Sequence, residues 1–210
     1  FSPTNDRVIQ IAAMVLPHAS SGARADAVYD EVTDMSGQDY FNAFVKPQGA
    51  RISSTIEGLT GISQKFIDEE GMAFSEAWKL FMTWIAECDG DDGGGIVLLA
   101  HNGKSFDFNF LQAELDRAQQ GALSEQVDCL VDTLHVLRDP SLWDGSLPSS
   151  LERPESFSLP FLAKYVTKKA PTNSHNALFD VMALAEVLES PGLRQLWRYV
   201  ANRKQFRIER

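Results

Sequence analysis

An uninterrupted apolar run at residues 96–100, Ile-Val-Leu-Leu-Ala, constrains the fold of this chain more than any other segment. A glycine-rich stretch at residues 90–95 comes directly before it and acts as a chain breaker. A short apolar run after such a breaker is typical of a strand covered on both faces, and such strands lie at parallel positions in a sheet flanked by helices. Residues 106–115 then carry apolar side chains at helical spacing. This strand and helix together predict an α/β fold.

Strands and helices alternate along the rest of the chain. Further strands are expected where apolar residues alternate or run together, at residues 7–16, 40–45 and 127–131. Further helices are expected where apolar residues recur at helical spacing, at residues 74–85, 158–165 and 177–188. Long Pro-, Ser- and Gly-containing stretches are expected to form a surface insertion at residues 18–39 and a loop at residues 139–157. Because no repeat or linker appears, we expect one α/β domain over residues 1–210, with a mixed central sheet flanked by helices.

The composition excludes several classes of protein. A chain of 210 residues with 44% hydrophobic residues is large and apolar enough to bury a core. No apolar run approaches the ~20 residues that span a bilayer, so we expect no membrane insertion. No charged and apolar leader opens the chain, which gives no support for secretion. Cys88 and Cys129 are too few for a disulfide scaffold, which favours a reducing, intracellular setting.

The net charge of −10 conceals a basic region near the C-terminus. Residues 194–210 contain six Lys or Arg and one Glu, and Lys164, Lys168 and Lys169 lie shortly before His175. A basic rim on an acidic protein can bind phosphates. It can equally be the solvated face of a helix followed by a charged tail. The sequence leaves both interpretations open.

Two aspartates stand in apolar surroundings that seldom contain a carboxylate. Phe106 and Phe108 flank Asp107, and bulky apolar residues flank Asp180 in the same way. A carboxylate drawn towards a core is costly unless a cation or hydrogen-bond donors receive it. His175 lies five residues before Asp180. Alone, each aspartate is more often a helix cap or an arginine partner, but together the three residues predict a divalent metal site with a proton-transfer partner.

The predicted fold gives these residues suitable positions. Asp107 comes shortly after the buried parallel strand, and ligand sites in open α/β sheets gather at the carboxyl ends of strands. Asp180 is expected about one turn into its helix, with His175 in the loop before that helix. An imidazole at this place can reach over a metal that the helix holds, as a general base must.

The residues around these aspartates resemble motifs of a known family. The segment from Leu99 to Asp107 resembles the second motif of the DnaQ-like (DEDDh) 3′–5′ exonucleases, of the ribonuclease H-like superfamily. The segment from His175 to Asp180 resembles the third motif, in which four residues separate histidine and aspartate. Further matches in the same order occur at residues 44–47, 56–63 and 131–134. Residues 106–115 and 171–175 are most similar to the three-prime repair (TREX-like) branch.

The resemblance implies a two-metal hydrolysis of phosphodiester bonds at the 3′ end of single-stranded nucleic acid, with DNA favoured over RNA. Asp107 and Asp180 would bind two Mg²⁺ or Mn²⁺ ions, and His175 would take the proton from the attacking water. Asn102, His101 and Phe106 would contact the substrate, although Phe106 is equally compatible with the core. A homodimer is an open option for such a domain.

Asp132 is a further acidic residue of the pattern that the resemblance covers. It stands at the end of the strand predicted at residues 127–131 and can cap the helix that follows. We interpret Asp132 as a structural residue for that reason.

One part of the family pattern does not occur in this sequence. The resemblance implies an Asp-x-Glu motif on an opening strand, directly before Phe1, and neither Asp6 nor Asp26 replaces it. That strand would be central, between the strands at residues 7–16 and 96–100. The free-energy cost of removing it would exceed the ~5–15 kcal/mol by which a domain is stable. We therefore expect upstream residues, or another segment, to fill this position. The alternative is an inactive exonuclease-like fold that acts as a binding or scaffold module in a nucleoprotein assembly.

Overall fold

The fold is described from a computed structural model of the chain. The residues described are 2–16, 36–37, 40–88, 95–144, 151–168, 175–191, 193 and 207–208. Within them, parallel and antiparallel strands alternate with helices, which agrees with the predicted α/β class. No helix of the described residues is both long and apolar enough to cross a membrane.

The first sheet contains three antiparallel strands. Strand β1 (Gln10–Met14) pairs with β3 (Tyr40–Phe44), and β2 (Ser36–Gly37) pairs with the other side of β3. Gln10 lies opposite Phe44 in this register. The strands predicted at residues 7–16 and 40–45 are therefore confirmed within narrower bounds. Apart from β2, nearly all of the insertion predicted at residues 18–39 lies outside the described residues.

The second sheet contains the apolar run at residues 96–100. Strand β4 (Val97–Ala100) pairs in parallel with β5 (Cys129–Asp132), and β6 (Arg207–Ile208) pairs antiparallel with the far side of β5. The parallel position is confirmed, but the prediction that this strand is buried on both faces is wrong. Val97 is 50% exposed, whereas every residue of β5 is buried. Within the described residues, β5 has a strand on each side and β4 has a strand on one side, which leaves β4 more accessible.

The single mixed sheet that we expected is divided into two sheets of three strands in the described residues. Strands β1 and β4 each lie at the edge of their sheet, and no described strand lies between them. The central strand expected at this place stays a prediction.

Eight α-helices complete the described part of the chain. They are α1 (Ser54–Thr60), α2 (Gln64–Glu70), α3 (Phe74–Cys88), α4 (Asp107–Ala118), α5 (Leu123–Gln126), α6 (Thr133–Arg138), α7 (Leu159–Thr167) and α8 (Ala177–Glu189). The helices expected from apolar spacing are α3, α4, α7 and α8, and all four are confirmed. Helices α1 and α2, which Ser53 and Ser63 cap with their hydroxyl groups, were not predicted from the sequence. Within residues 139–157, the structure has a short 3₁₀ helix at Pro140–Leu142.

Two apolar clusters hold these elements together. Helix α3 packs against the first sheet through aromatic side chains, with the rings of Phe41 and Phe81 5.3 Å apart. The second cluster joins β5, α6 and α7 around fully buried residues such as Val136 and Leu162. Helix α8 packs on both α7 and β1. Helix α4 begins shortly after β4, so its first turn follows the second sheet, and the first turn of α8 is hydrogen-bonded to β1 of the first sheet.

Candidate active site

Asp132 organises the turn that leads from β4 to α4. It is buried at the end of β5, and its Oδ1 accepts hydrogen bonds from the backbone N–H groups of Leu134 and His135, which begin α6. The same oxygen accepts from the N–H of Asn102 at 3.0 Å, and Oδ2 accepts from the N–H of Lys104 at 3.1 Å. The predicted helix cap is thus confirmed. The carboxylate also fixes the turn, because four backbone donors compensate its burial.

The turn itself has a conformation that few sequences accept. Asn102 has a φ of 69°, in the left-handed region that asparagine tolerates better than most residues. A Cβ atom added at Gly103 would lie 2.7 Å from the Cβ atom of Ala100 and from the ring of Phe108, so only glycine fits there. Asn102 is exposed, so its side chain is accessible for the substrate-binding role predicted for it.

The geometry argues against the substrate-binding role predicted for His101. Its Nε2 lies 2.8 Å from the carbonyl oxygen of Phe157, and its Nδ1 lies 2.9 Å from the hydroxyl oxygen of Thr133. A carbonyl only accepts, so Nε2 carries the hydrogen and Nδ1 accepts from Thr133 in the neutral ring. Both nitrogens are therefore used inside the protein. His101 connects the turn to α6 and to residue 157.

Burial lowers the pKa of His101 below its ordinary value of 6.5, and the charge of Arg138 lowers it further. The Phe157 carbonyl and the charge of Asp132 oppose this shift. The unfolded chain protonates at the ordinary pKa, so below about pH 6.5 it binds more protons than the folded protein. The neutral ring of His101 therefore makes its full contribution to the free energy of unfolding above about pH 6.5. This contribution decreases as the pH falls below that value.

We therefore expect His101→Gln to reduce the loss of stability between about pH 7 and about pH 5, compared with the unsubstituted protein. Urea unfolding at several pH values measures this. His135→Gln provides the control, because His135 is exposed on the neighbouring helix. If both variants kept the full pH dependence, the buried neutral state of His101 would be wrong.

Asp107 lies at the start of α4, as expected, but the prediction that it is drawn towards the core is wrong. The residue is exposed, whereas Phe108 and Phe110 are each only 7% exposed. Successive side chains on a helix point about 100° apart, so apolar neighbours in sequence do not bury the residue between them.

Neighbouring protein atoms nevertheless reduce the solvation of the carboxyl group of Asp107, and this loss of solvation raises its pKa to about 6. Its own backbone N–H opposes the shift, and the negative charges of Asp132 and Asp180 increase it. The structure therefore brings Asp107 near Asp180, which lies 73 residues further along the sequence.

Asp180 lies in the first turn of α8 and is half-buried. Its Oδ1 accepts a hydrogen bond from the backbone N–H of His175 at 3.4 Å. Loss of solvation raises the pKa of Asp180, while this hydrogen bond and the charge of His175 oppose the shift. His175 is exposed and has a left-handed φ of 75°. The predicted pairing of a histidine before the helix with an aspartate in its first turn is therefore present.

Phe106 is 43% exposed, so the alternative interpretation of this residue as core is wrong. Its ring packs against that of Phe110, with the ring centroids 4.7 Å apart. Phe179, at 37% exposure, precedes Asp180 as Phe106 precedes Asp107. Phe179 was not among the predicted site residues, although the repeated Phe-Asp pattern is visible in the sequence.

Asp107 and Asp180 provide hard oxygen ligands of the kind that Mg²⁺ and Mn²⁺ prefer. Loss of solvation is the main cause of the raised pKa of Asp107, and a cation between the two carboxylates would compensate both that loss and the smaller repulsion from Asp180. Two carboxylates make an incomplete set, and in the described part of the chain no group of three or more His, Cys, Asp or Glu residues could hold a metal ion. The pair thus fits a cation that receives further ligands from elsewhere.

Comparisons with known sequences agree with this geometry. A profile of the RNase_T exonuclease family matches residues 1–188. Exonuclease DPD1, chloroplastic/mitochondrial, from Arabidopsis thaliana is 28% identical over 188 residues, which cover 88% of this chain and 50% of that protein. Three-prime repair exonuclease 1 from Homo sapiens is 34% identical over 92 residues, which cover 44% of this chain and 28% of that protein. The chain spans half or less of the length of these curated relatives.

Solved structures share the fold. The structure of cell-death related nuclease 4 (CRN-4) has a TM-score of 0.56 and 16% identity, over 77% of this chain and 50% of that chain. A structure showing "3'-end specific recognition of histone mRNA stem-loop by 3'-exonuclease" has a TM-score of 0.58 and 14% identity, over 92% of this chain and 65% of that chain. At these identities the likeness shows the fold alone. It confirms the predicted ribonuclease H-like α/β class.

The family profile covers most of the chain, and the human relative carries the three-prime repair name of the predicted branch. The chain belongs to the RNase_T exonuclease family, within the DnaQ-like group, and is TREX-like.

Proposed function

We propose that this protein is a metal-dependent 3′–5′ exonuclease that hydrolyses phosphodiester bonds at the 3′ end of single-stranded nucleic acid, with DNA favoured over RNA. The observation that carries the proposal is geometric: Asp107 is the first residue of α4, Asp180 lies in the first turn of α8 with its Oδ1 hydrogen-bonded to the N–H of His175, and the charge of Asp180 reaches Asp107. The names of the relatives support the 3′ polarity, since one is a three-prime repair exonuclease and another structure contains a 3′-exonuclease.

In this proposal Asp107 and Asp180 would hold two Mg²⁺ or Mn²⁺ ions together with further ligands. When bound, such ions lower the pKa of a coordinated water and stabilise negative charge on the scissile phosphate. The exposed imidazole of His175 accepts the proton of the attacking water through a ring nitrogen. The side-chain amide of Asn102 hydrogen-bonds the substrate, and the ring of Phe106 stacks on a terminal base.

A purely structural role explains the two aspartates less well. Phe106 occupies the N-cap position of α4 and Asn176 that of α8, so neither aspartate is the cap. Among the described residues, neither forms an ion pair with a lysine or arginine. Loss of solvation raises the pKa of both carboxyl groups, and no lysine or arginine ion pair of the described residues offsets that shift.

Degradation of an oligonucleotide labelled at its 5′ end tests the polarity. With millimolar Mg²⁺ we expect a ladder of labelled products that shorten from the 3′ end, because each hydrolysis removes the terminal nucleotide. A 3′-terminal phosphate should block the ladder, and excess EDTA should abolish it. Release of the 5′ label as the first product, or undiminished cleavage in EDTA, would contradict the proposal.

One observation favours the second candidate, an inactive exonuclease-like module that binds nucleic acid within a larger assembly. It is the small number of metal ligands: among the described residues, Asp107 and Asp180 are joined by no third carboxylate that could bind the same metal ion. This candidate predicts binding of single-stranded DNA or RNA that neither EDTA nor Asp107→Asn changes, and no release of nucleotides. A Mg²⁺-dependent ladder would exclude it.

We further propose that residues 1–210 act as one exonuclease domain and that the protein is intracellular. The family match over residues 1–188 supports the first statement, and the organellar name of the Arabidopsis relative supports the second. The predicted homodimer stays a prediction.

A further inference from the structure

The side chain of Gln10 connects three elements that lie far apart in the sequence. Gln10 is the first residue of β1, and its Oε1 accepts a hydrogen bond from the backbone N–H of Ala177 at 2.9 Å. Its Nε2 donates to the Oδ1 of Asn176 at 3.2 Å and to the Oδ1 of Asn42 at 2.9 Å. One amide thus links β1, β3 and the start of α8.

The chemistry of the partners fixes the orientation of this amide. The N–H of Ala177 can only donate, so the atom that faces it must be the carbonyl oxygen of Gln10. The Oδ1 of Asn176 also accepts from the N–H of Leu178 at 3.2 Å, which identifies that atom as an oxygen as well. The amide of Gln10 therefore has to donate and accept at once. Glutamate, leucine and methionine at position 10 cannot do both.

The bonds of Gln10 compensate polar groups that would otherwise lack partners. The first turn of a helix leaves its N–H groups without intrahelical acceptors, and Gln10 accepts from the N–H of Ala177, the first residue of α8. Asn176 caps the same helix by accepting from Leu178. Asn42 is only 6% exposed. These contacts fix the beginning of α8 against the first sheet.

The two functional residues of this region lie on either side of the fixed point. His175 precedes Asn176 directly, and Asp180 follows Ala177 by three residues. The described hydrogen bonds of Gln10 go to Asn42, Asn176 and Ala177, and the hydrogen bond from the His175 N–H to Asp180 closes the segment between those two residues. The position of the helix start on β1 therefore determines where the imidazole and the carboxylate lie relative to Asp107.

We propose that Gln10 is a positioning residue for the reaction, which holds His175 and Asp180 in place through the first turn of α8. The inference rests on the proposed function, because it assigns Gln10 to the same site. Gln10 acts through the backbone and the cap of the helix and touches no substrate.

Steady-state kinetics of Gln10→Leu in the full-length protein tests the proposal. We expect kcat to fall about 10- to 100-fold, the range for a small displacement of catalytic groups, with KM changed little. Gln10→Glu should fall similarly, since a carboxylate accepts from Ala177 but places charge against the two asparagine oxygens. Gln112→Leu is the matched control, because the Oε1 of Gln112 accepts from the N–H of Leu123, the first residue of α5. We expect it to retain kcat.

A double variant separates positioning from general stability. In a His175→Ala background, Gln10→Leu should lower kcat by a smaller factor than in the unsubstituted protein, because the part of the loss that comes from a displaced imidazole is already gone and only the part that comes from Asp180 remains. The proposal would be overturned if the two substitutions lowered kcat by independent factors, if Gln10→Leu left kcat unchanged, or if Gln112→Leu lowered kcat as much as Gln10→Leu does.

Hydrogen exchange provides a readout that does not depend on activity. In Gln10→Leu we expect the amide protection of Ala177 to decrease, while that of Leu115 in the core of α4 is retained. Unchanged protection of Ala177 would overturn the inference even if the nuclease activity is present. An inactive unsubstituted protein would instead refute the proposed function, and the exchange measurement would still decide the role of Gln10.

Discussion

Asp107→Asn and Asp180→Asn are each expected to lower kcat at least about 10³-fold, which corresponds to about 4 kcal/mol of transition-state stabilisation. Asparagine keeps the shape of the side chain but removes a charged oxygen ligand, so the cations that neutralise the phosphate bind poorly. Both variants should fold, because Asp107 is exposed and neither residue caps its helix. We expect thermal unfolding without metal to show little loss of stability, since neutralising one member of a repelling pair removes an unfavourable charge.

Asp128→Asn is the matched control for these two variants. Asp128 is an exposed aspartate near the opposite end of the second sheet, where its Oδ2 accepts from the N–H of Ile96 at 2.7 Å. We expect Asp128→Asn to retain kcat within a few-fold. The measurement is single-turnover release of nucleotides over a range of Mn²⁺ concentrations. Full activity of Asp107→Asn at the same metal concentration would contradict its role as a metal ligand.

His175→Ala is expected to lower kcat about 10²- to 10⁴-fold, the usual contribution of a general base, while KM changes little. His175 lies outside the helix, is exposed, and makes its described hydrogen bond to Asp180 with its backbone N–H, which alanine keeps. The loss should therefore come from the missing ring nitrogen rather than from a displaced aspartate. Binding of Mn²⁺ to His175→Ala should resemble that of the unsubstituted protein.

His135→Ala is the control for the histidine. The side chain of His135 is exposed on α6, and its backbone N–H is the group that bonds to Asp132. We expect His135→Ala to keep its activity. A His175→Ala variant that cleaves at the rate of the unsubstituted protein would exclude His175 as the base.

The local patterns of the sequence predicted much of the fold. Apolar residues at helical spacing identified α3, and the run at residues 96–100 identified a strand in a parallel pair. The exposure of Val97 was not predictable, because it depends on which strands stand beside β4. An apolar run reports the average environment of a strand, whereas burial of one residue depends on its neighbours in space.

The same limit applies to the candidate site. The spacing of His175 and Asp180 within one motif predicted their proximity, because only four residues separate them. The bonds of His101 connect it to Phe157, 56 residues away, and Gln10 reaches Asn176 across 166 residues. Such contacts arise from the packing of elements. A polar residue within an apolar strand, such as Gln10 in β1 or Asn42 in β3, is the signal that marks them in a sequence.

Anomalous diffraction from a crystal of the full-length protein grown with Mn²⁺ tests the central claim most directly. We expect a Mn²⁺ peak within about 2.0–2.3 Å of carboxylate oxygens of both Asp107 and Asp180, with the imidazole of His175 facing a water on that ion. A protein that degrades DNA or RNA with Mn²⁺ while every Mn²⁺ peak lies away from these two aspartates would contradict the account.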